Sequence, residues 1–483
     1  MYRSHKALGP AQDTRTRTAE RSKLTVVFGS LAALGLVFAV TSSLEYLTLS
    51  YKVWASERGV DVPESYASTN SSLFNIGRDG PALYLKHWLS DTPVFLDALE
   101  IIAEETPRLW WGQQVDLATI SWTALLAVEG RRRRIPHLWA HALLPHLVSL
   151  SFAQNLFYVA LLQTPAPIPA QETRQVFTPA QKGGRKSSPP SNSTRIARVF
   201  HRLLPKKPNN WFPKLSLIVA PLVLNYLVTF WLPATAGTPS FPNAVLLTKL
   251  LTLAPLVLPA IAPASWGVVH ADPHDAYPDV IKLFNLISAA SGLLHAKTTV
   301  SALLFNLPDS HRHRHSIKIP LDTEKRSKWE RTATAAEKVL GSMTDHPAVA
   351  AAGRDALLCA LSLGLWAAVR STDVGNMLRA LHNYSTSPSR GGSGRSGGGK
   401  RGKTTETPRP ARAREEAADR ADLEPEEETY RPTPAARADV GLGDVVPEDD
   451  FDWEAAALTW GLTAVGGLGL GSAAVFGAEC LAR

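Results

Sequence analysis

Long uncharged apolar runs alternate with polar stretches along the chain. The clearest runs are Leu24–Leu44, Leu250–Val269 and Ala455–Ala478, and none of them contains a charged residue. A helix needs about 20 apolar residues to cross the hydrocarbon layer of a bilayer, because each residue adds about 1.5 Å. The pattern therefore predicts an all-α fold, a polytopic transmembrane helical bundle whose spans are joined by polar loops.

Weaker apolar runs bring the predicted number of spans to eight. The predicted spans are Leu24–Leu44, Leu109–Glu129, Ile135–Gln163, Trp211–Pro233, Asn243–Trp266, Asp279–Asn306, His346–Arg370 and Glu454–Glu479. The alternative is seven spans, with a third segment that enters the membrane and returns to the side it came from. Within residues 81–105, an acidic stretch carries apolar residues at helical spacing, which predicts an amphipathic helix on the membrane surface.

Polar segments divide the spans into groups. The predicted order is a cytoplasmic basic N-terminus (1–23), spans one to three with the lumenal amphipathic segment (24–164), a polar linker (165–210), spans four to six (211–306), a cytoplasmic basic loop (307–345), span seven (346–370), a glycine-rich and acidic loop (371–453), and span eight with the C-terminus (454–483). Mixed charge and few aromatic residues predict that 165–210 and 371–453 are disordered.

The distribution of charge predicts the orientation. Basic residues in 1–23 and the run Arg131–Arg134 are typical of cytoplasmic flanks, so both termini are predicted to lie in the cytoplasm, in an endoplasmic reticulum or other endomembrane protein. The basic linker 165–210 disagrees, because eight spans place it in the lumen. The sequons at Asn70, Asn192 and Asn383 would all be lumenal, which predicts a glycoprotein.

Composition excludes several classes of protein. With 45% hydrophobic and 19% charged residues arranged in blocks, the chain is not a single water-soluble globule, and two cysteines exclude a disulfide scaffold. The net charge of +8 lies mostly in span flanks and loops, which indicates contact with the lipid bilayer and no nucleic-acid partner.

Ionisable residues inside predicted spans are the first candidates for chemistry, because a charge at membrane depth costs a few kcal/mol. Asp116 lies on one helical face with Gln113, Thr119 and Thr123. The functional interpretation is a proton donor or a cation ligand, and the alternative is a carboxyl group that only packs helices. Polar groups elsewhere could face the same interior: Gln154, Asn155, Asn225 and Lys249.

A second polar stripe in the sixth span runs through Asn285, Ser288, His295 and Thr299. The connection just before that span contains Asp272 and Asp275, which could supply a catalytic acid at the mouth of a cavity or simply form an acidic flank. Asp116, Asp272, Asp275 and His295 are therefore the predicted catalytic residues.

Several motifs are absent from the sequence. It contains no phosphate-binding loop, no serine nucleophile elbow, no zinc-protease helix and no dinucleotide fingerprint, so no cofactor and no metal is predicted. The alternating His311–His315 run predicts a basic flank, because its arginines repel a cation. Tryptophans in the spans could stabilise a carbocation through their ring faces.

Three stretches carry a resemblance to a known group of proteins: Arg108-Leu109-Trp110-Trp111-Gly112-Gln113-Gln114, Ser151-Phe152-Ala153-Gln154-Asn155-Leu156-Phe157-Tyr158 and the His311–Ser316 run. Over roughly residues 90–370 the chain resembles the membrane-bound terpene cyclases of filamentous fungi of the ascochlorin and ascofuranone type. The resemblance implies secondary-metabolite (meroterpenoid) biosynthesis, in which a terminal epoxide on a prenylated aromatic substrate is opened and the chain is cyclised. It supplies no site residues.

Three functions are compatible with these residues. In a metal-independent terpene cyclase, Asp116 or the Asp272/Asp275 pair would protonate the epoxide and His295 would take the final proton. In a transporter of a small amphipathic metabolite, the same polar stripes would form the path. In a structural multi-pass protein without catalysis, they would only pack helices.

Overall fold

The protein is described here from a computed structural model covering residues 18–60, 84–133, 135–164, 211–270, 276–306, 328–370, 372–381 and 451–481. In these ranges the fold is helical, apart from one antiparallel pairing of β1 (Trp211–Pro213) with β2 (Gly267–Val269). The all-α prediction is confirmed. Both cysteines lie in the described ranges, where they are buried and free.

The helices are numbered in chain order. They are α1 (Thr18–Arg58), α2 (Leu85–Asp91), α3 (Val94–Glu104), α4 (Thr106–Leu125), α5 (Leu138–Leu147), α6 (Leu150–Leu162), α7 (Ser216–Thr235), α8 (Phe241–Ile261), α9 (Tyr277–Asn306), α10 (Lys328–Gly341), α11 (Pro347–Val369), α12 (Val374–Leu381) and α13 (Trp453–Leu481). A π-helical turn, Leu126–Gly130, extends α4, and the predicted amphipathic segment becomes α2 and α3.

Among the described residues, five helices are long and apolar enough to cross a membrane: α1, α7, α8, α11 and α13. Many of the apolar side chains of α1, α7 and α8 point outward, as a lipid environment allows. A continuous core forms where α4, α6, α9, α11 and α13 pack together. The structure thus agrees with a membrane protein, and the count of eight spans is not confirmed.

The bundle has two distinguishable ends. At the arginine end, defined by Arg131, Arg132, Arg133 and Arg370, the C-terminal ends of α4, α6, α8, α11 and α13 meet. The N-terminal part of α1 lies at the same end, because the rings of Phe28 and Trp366 are 5.5 Å apart.

At the opposite end, α4 and α11 begin. The Ser342 hydroxyl there donates to the Pro107 carbonyl at 3.0 Å, and the rings of Tyr46 and His346 are 5.7 Å apart. The turn between α7 and α8 lies at this end as well, since the Gly237 backbone N–H donates to Glu100 at 2.6 Å. Among the described helices, α1, α4, α7, α8, α9 and α11 therefore run the length of the bundle.

The predicted third span is a hairpin of two short helices. Helix α5 runs inward from the arginine end, the chain reverses at Val148 and Ser149, and α6 returns to Thr164, whose carbonyl accepts from Arg133. The rings of His141 and Phe157 are 5.3 Å apart, as two antiparallel arms require. The prediction of a third full span is corrected, and the course of the chain agrees with its alternative, a re-entrant segment.

The predicted eighth span, α13, is also a hairpin. Its first arm begins beside α11 at the arginine end, where the Asp452 N–H donates to the Ala368 carbonyl at 3.2 Å. The helix breaks at Gly467 (φ 79°, ψ 166°), and the second arm brings Glu479 back to Arg370. Glycine is required at the break because other residues rarely adopt this conformation. Helix α13 is thus long enough to cross a membrane, but both of its ends lie at one end of the bundle.

The two hairpins change where the connections begin and end. The linker 165–210 starts after Thr164 and ends before Trp211, both at the arginine end, so its basic charge no longer conflicts with Arg131–Arg134. The linker itself, the sequons at Asn70, Asn192 and Asn383, and the His311–His315 run lie outside the described residues.

The predicted cytoplasmic arginine flank is in fact largely buried. Arg133 and Arg370 are 3% and 1% exposed, and they share Glu479, while Glu129 pairs with Arg133 and, at 2.6 Å, with Arg132. Arg132 also donates to the Cys480 carbonyl in the last turn of α13, where the negative end of the helix dipole favours a cation. Arg131, Arg132 and Arg133 therefore belong to the core at this end of the bundle, in place of a solvated flank.

Candidate functional site

The middle of α4 is the place where both hairpins meet the helices that run the length of the bundle. On one side, Gln114 contacts the tip of the α13 hairpin, and on another, Asp116 shares a pocket with His146 from the end of α5. Backbone that leaves a helix inside a membrane bundle needs protein or water to satisfy its polar groups. The two tips therefore mark the polar interior of the fold.

Asp116 lines a small, partly open pocket with room for about one water molecule. Its Oδ1 atom lies 3.4 Å from the Nζ atom of Lys249 on α8, and the two side chains are 43% and 27% exposed. This separation exceeds the 2.7–2.9 Å that is usual for a charge-assisted hydrogen bond. The pair is therefore loose, and both groups can still reach a ligand.

Neighbouring helices supply the rest of the pocket wall. Asn225 of α7 is 1% exposed, and its Nδ2 atom donates to the Thr252 hydroxyl of α8 at 2.8 Å. The Oδ1 atom of Asn225 is buried and has no hydrogen-bond partner among the described residues, and the same is true of Nε2 of His146. Buried polar atoms are normally paired, so these two are available to a bound molecule or to water.

Most of the residues that line this pocket are polar or charged. Four threonines stand beside the charged pair and Asn225, and the lining within the described residues includes no tryptophan, tyrosine or phenylalanine. A prenyl chain would need apolar walls, and a carbocation would need aromatic faces. The pocket is therefore suited to a small polar or charged ligand.

His295 lies in a separate hydrogen-bonded chain at the tip of the α13 hairpin. Its Nδ1 atom is 2.9 Å from Gln114 Nε2, which can only donate, so the ring proton of a neutral His295 is on Nε2, 3.3 Å from the Thr299 hydroxyl. The Gln114 Oε1 atom accepts from the Leu468 backbone N–H at 2.8 Å, just past the break at Gly467. Gln114 therefore links the tip to α9.

Two tryptophan side chains lie beside this hydrogen-bonded chain. Trp110 donates from Nε1 to the Thr299 hydroxyl at 2.9 Å, and its ring centre is 5.9 Å from that of His295. The ring of Trp111 meets that of Trp110 edge to face. Aromatic surface thus lies beside His295, and the Asp116 pocket lacks it.

Two of the four predicted catalytic residues lie in the described part of the chain, and they have different partners. Asp116 contacts Lys249, His295 contacts Gln114 and Thr299, and Asp272 and Asp275 lie outside the described residues. Of the other polar residues predicted to face a shared interior, Lys249 and Asn225 do join Asp116 in one pocket. Gln154 instead donates to Tyr158 within α6.

Sequence reasoning missed Gln114, His146 and Asp355 as important polar residues. Asp355 of α11 accepts from the backbone N–H groups of Leu150 and Ser151 at 2.9 and 2.8 Å, so it stabilises the N-terminus of α6 at the hairpin tip. The available signal was Ser149, a strong helix-capping residue in the middle of an apolar run.

Comparison of the chain with family models, curated proteins and solved structures found no match.

Proposed function

We propose that this chain is a multi-pass membrane protein that binds a small polar solute in the Asp116 pocket and carries it across the membrane. The observation that carries the proposal is a small polar pocket in the middle of the bundle, where the inner end of the re-entrant arm α5 meets α4, α7 and α8. Solute sites near the middle of a bilayer are commonly formed by helices that are interrupted there, because interrupted helices leave backbone and side-chain groups available.

The same proposal fixes a topology. Helices α1, α4, α7, α8, α9 and α11 would cross the membrane, and α5–α6 and α13 would enter from the arginine end and return. The arginine end would face the cytoplasm, because it carries the Arg131–Arg134 run and both ends of the basic linker 165–210. Both termini would then be cytoplasmic.

The two hairpins differ in their relation to the pocket. The second arm of α13 packs closely against α4 and α9 through Gly469 and Gly477, whereas the inner end of α5 contributes His146 to the pocket wall. In the proposed transport cycle, a small rigid-body shift of the α5–α6 tip would expose the pocket to one side and then to the other.

Reconstitution of the full chain into proteoliposomes tests the proposal. Uptake of radioactive sodium, methylammonium, acetate and glycine would be measured against liposomes without protein. We expect uptake of at least one probe, its loss in Asp116→Asn and its retention in Asp279→Asn, which removes a carboxylate from an exposed ion pair with Lys282. Absence of uptake above empty liposomes, with folded protein confirmed by gel filtration, would refute the proposal.

The terpene cyclase implied by the resemblance is the second candidate, and the aromatic surface beside His295 favours it. In that case, microsomes containing the chain would convert an epoxidised farnesyl-phenol into an isomer of unchanged mass. Formation of the isomer, and its loss in His295→Ala, would support the cyclase. A transporter would leave the compound unchanged.

A further inference from the structure

Three of the four threonine hydroxyls of the Asp116 pocket can offer only lone pairs to a ligand. The hydroxyls of Thr119, Thr248 and Thr252 each donate to a carbonyl of their own helix, at 2.7, 2.7 and 2.8 Å. A hydroxyl group has one proton and two lone pairs, so a hydroxyl whose proton is already used acts as an acceptor.

Asn225 also offers the pocket a hydrogen-bond acceptor. Its amide protons point to Thr252, and its buried Oδ1 atom has no partner among the described residues. Together with the Asp116 carboxylate, these groups make a wall that is rich in oxygen acceptors. The cationic group in it is the Lys249 ammonium, and it is only loosely paired with Asp116.

The helix dipole of the neighbouring α5 also favours a cation in the pocket. His146 lies in the last turn of α5, whose C-terminal end reaches the pocket. The last carbonyls of a helix lack intrahelical partners and carry the negative end of the helix dipole. A positive charge in the pocket is therefore favoured by the backbone as well as by Asp116.

We propose that the Asp116 pocket binds a small monovalent cation, an alkali metal ion or a small ammonium ion, which takes the place of the Lys249 ammonium. Carboxylate, hydroxyl and amide oxygens are the ligands that hard cations prefer. A single carboxylate suits one positive charge, and the described residues include no group of three His, Cys, Asp or Glu side chains that could hold a multivalent metal. The inference rests on the proposed function, since it names the class of solute that the pocket takes.

Binding to the purified full chain in detergent tests this inference without any transport step. Retention of radioactive sodium and of radioactive methylammonium would be measured by scintillation proximity. Lys249→Met removes the competing ammonium, so we expect about tenfold tighter binding of the cation. Asp116→Asn should abolish retention, and Asn225→Leu should weaken it. Lys282→Met and Asp279→Asn, which alter an exposed pair elsewhere, are the matched controls and should bind as the wild type does.

The gain in Lys249→Met decides the test, because a misfolded variant cannot bind more tightly. Retention of sodium would assign an alkali metal ion, and retention of methylammonium alone would assign an ammonium ion. Equal or weaker binding by Lys249→Met, or no retention of either probe by wild type and variant, would overturn the inference. Cation binding without flux would support the cation site and refute the proposed transport function. Flux of another solute without cation binding would support transport and refute the cation site.

Discussion

Arg370 and Glu479 form a two-point ion pair that closes the C-terminal hairpin onto the end of α11. The Arg370 Nη2 and Nε atoms lie 2.7 and 3.2 Å from the two carboxylate oxygens of Glu479, and both side chains are 1% exposed. Just before the first arm of the same hairpin, the Asp452 N–H donates to the carbonyl of Ala368, only two residues before Arg370. One short segment of α11 therefore anchors both ends of α13.

The charges in this cluster predict which of two substitutions destabilises the protein more. Removing Glu479 (Glu479→Gln) would leave three arginines facing Glu129 alone, and an uncompensated buried charge costs about 3–5 kcal/mol of unfolding free energy. Arg370→Met would leave two glutamates facing Arg132 and Arg133, so the charges remain balanced and the loss should be smaller. Thermal unfolding in detergent measures both, with Asp279→Asn as the exposed control, expected within about 0.5 kcal/mol of wild type. An equal or reversed order would contradict this account of the cluster.

The break at Gly467 predicts a second pair of variants. A Cβ atom at this position would lie 2.6 Å from the His295 Nδ1 atom, and the backbone conformation is open to little but glycine. We expect Gly467→Ala to lower the free energy of unfolding by at least about 1–3 kcal/mol. Gly461→Ala, in the first arm of the same hairpin, adds a methyl group to open space and should be neutral or stabilising. If both variants unfold alike, α13 does not reverse at Gly467.

His346 predicts a dependence of stability on pH. Its Nδ1 atom accepts from the Ala348 N–H at 3.1 Å and so caps α11, which requires a neutral ring. Burial and the nearby Arg108 guanidinium lower the pKa of His346 below its ordinary value of 6.5. Because the unfolded chain binds the proton more readily, this contribution to stability is complete above pH 6.5 and is lost as the pH falls below it.

Two substitutions separate the cap from the titration. His346→Asn keeps a capping side chain that does not titrate, so the fall in stability between pH 6.5 and pH 5 should be smaller than in the wild type. His346→Ala should lose about 0.5–2 kcal/mol at pH 7.5. Unfolding curves recorded across this pH range provide the comparison. An unchanged pH profile in His346→Asn would rule out this residue as the source.

The fold class could be predicted from the sequence because apolar runs of membrane-spanning length are a strong signal, as in α1, α7 and α8. The reversals could not, because hydropathy measures how long a segment stays apolar and is blind to a change of direction. Within the runs, Ser149 and Gly467 are weak local signals, and each becomes decisive only when a partner helix supplies Asp355 or Gln114.

The sequence predicted individual polar residues of the site but did not show which of them pair. Asp116 stands out because a carboxylate in an apolar run is costly. That its partner is Lys249, 133 positions further along the chain, depends on the packing of α4 against α8. The burial of Arg133 depends in the same way on Glu479, 346 positions away, and the local sequence suggests only a charged flank.

The sequons distinguish the hairpin topology from eight full spans. Asn70 lies between Val60 and Tyr84, and both of these flanking residues are at the end of the bundle opposite the arginines. The segments that contain Asn192 and Asn383 each begin and end beside helices that meet at the arginine end. Variants that keep one sequon each, with Asn→Gln at the other two, would be expressed in a eukaryotic host and treated with glycosidase. With the arginine end in the cytoplasm, we expect a mass shift for the Asn70 variant alone. Eight full spans would put all three sequons in the lumen, so a shift at Asn70 together with either of the others would refute the hairpins.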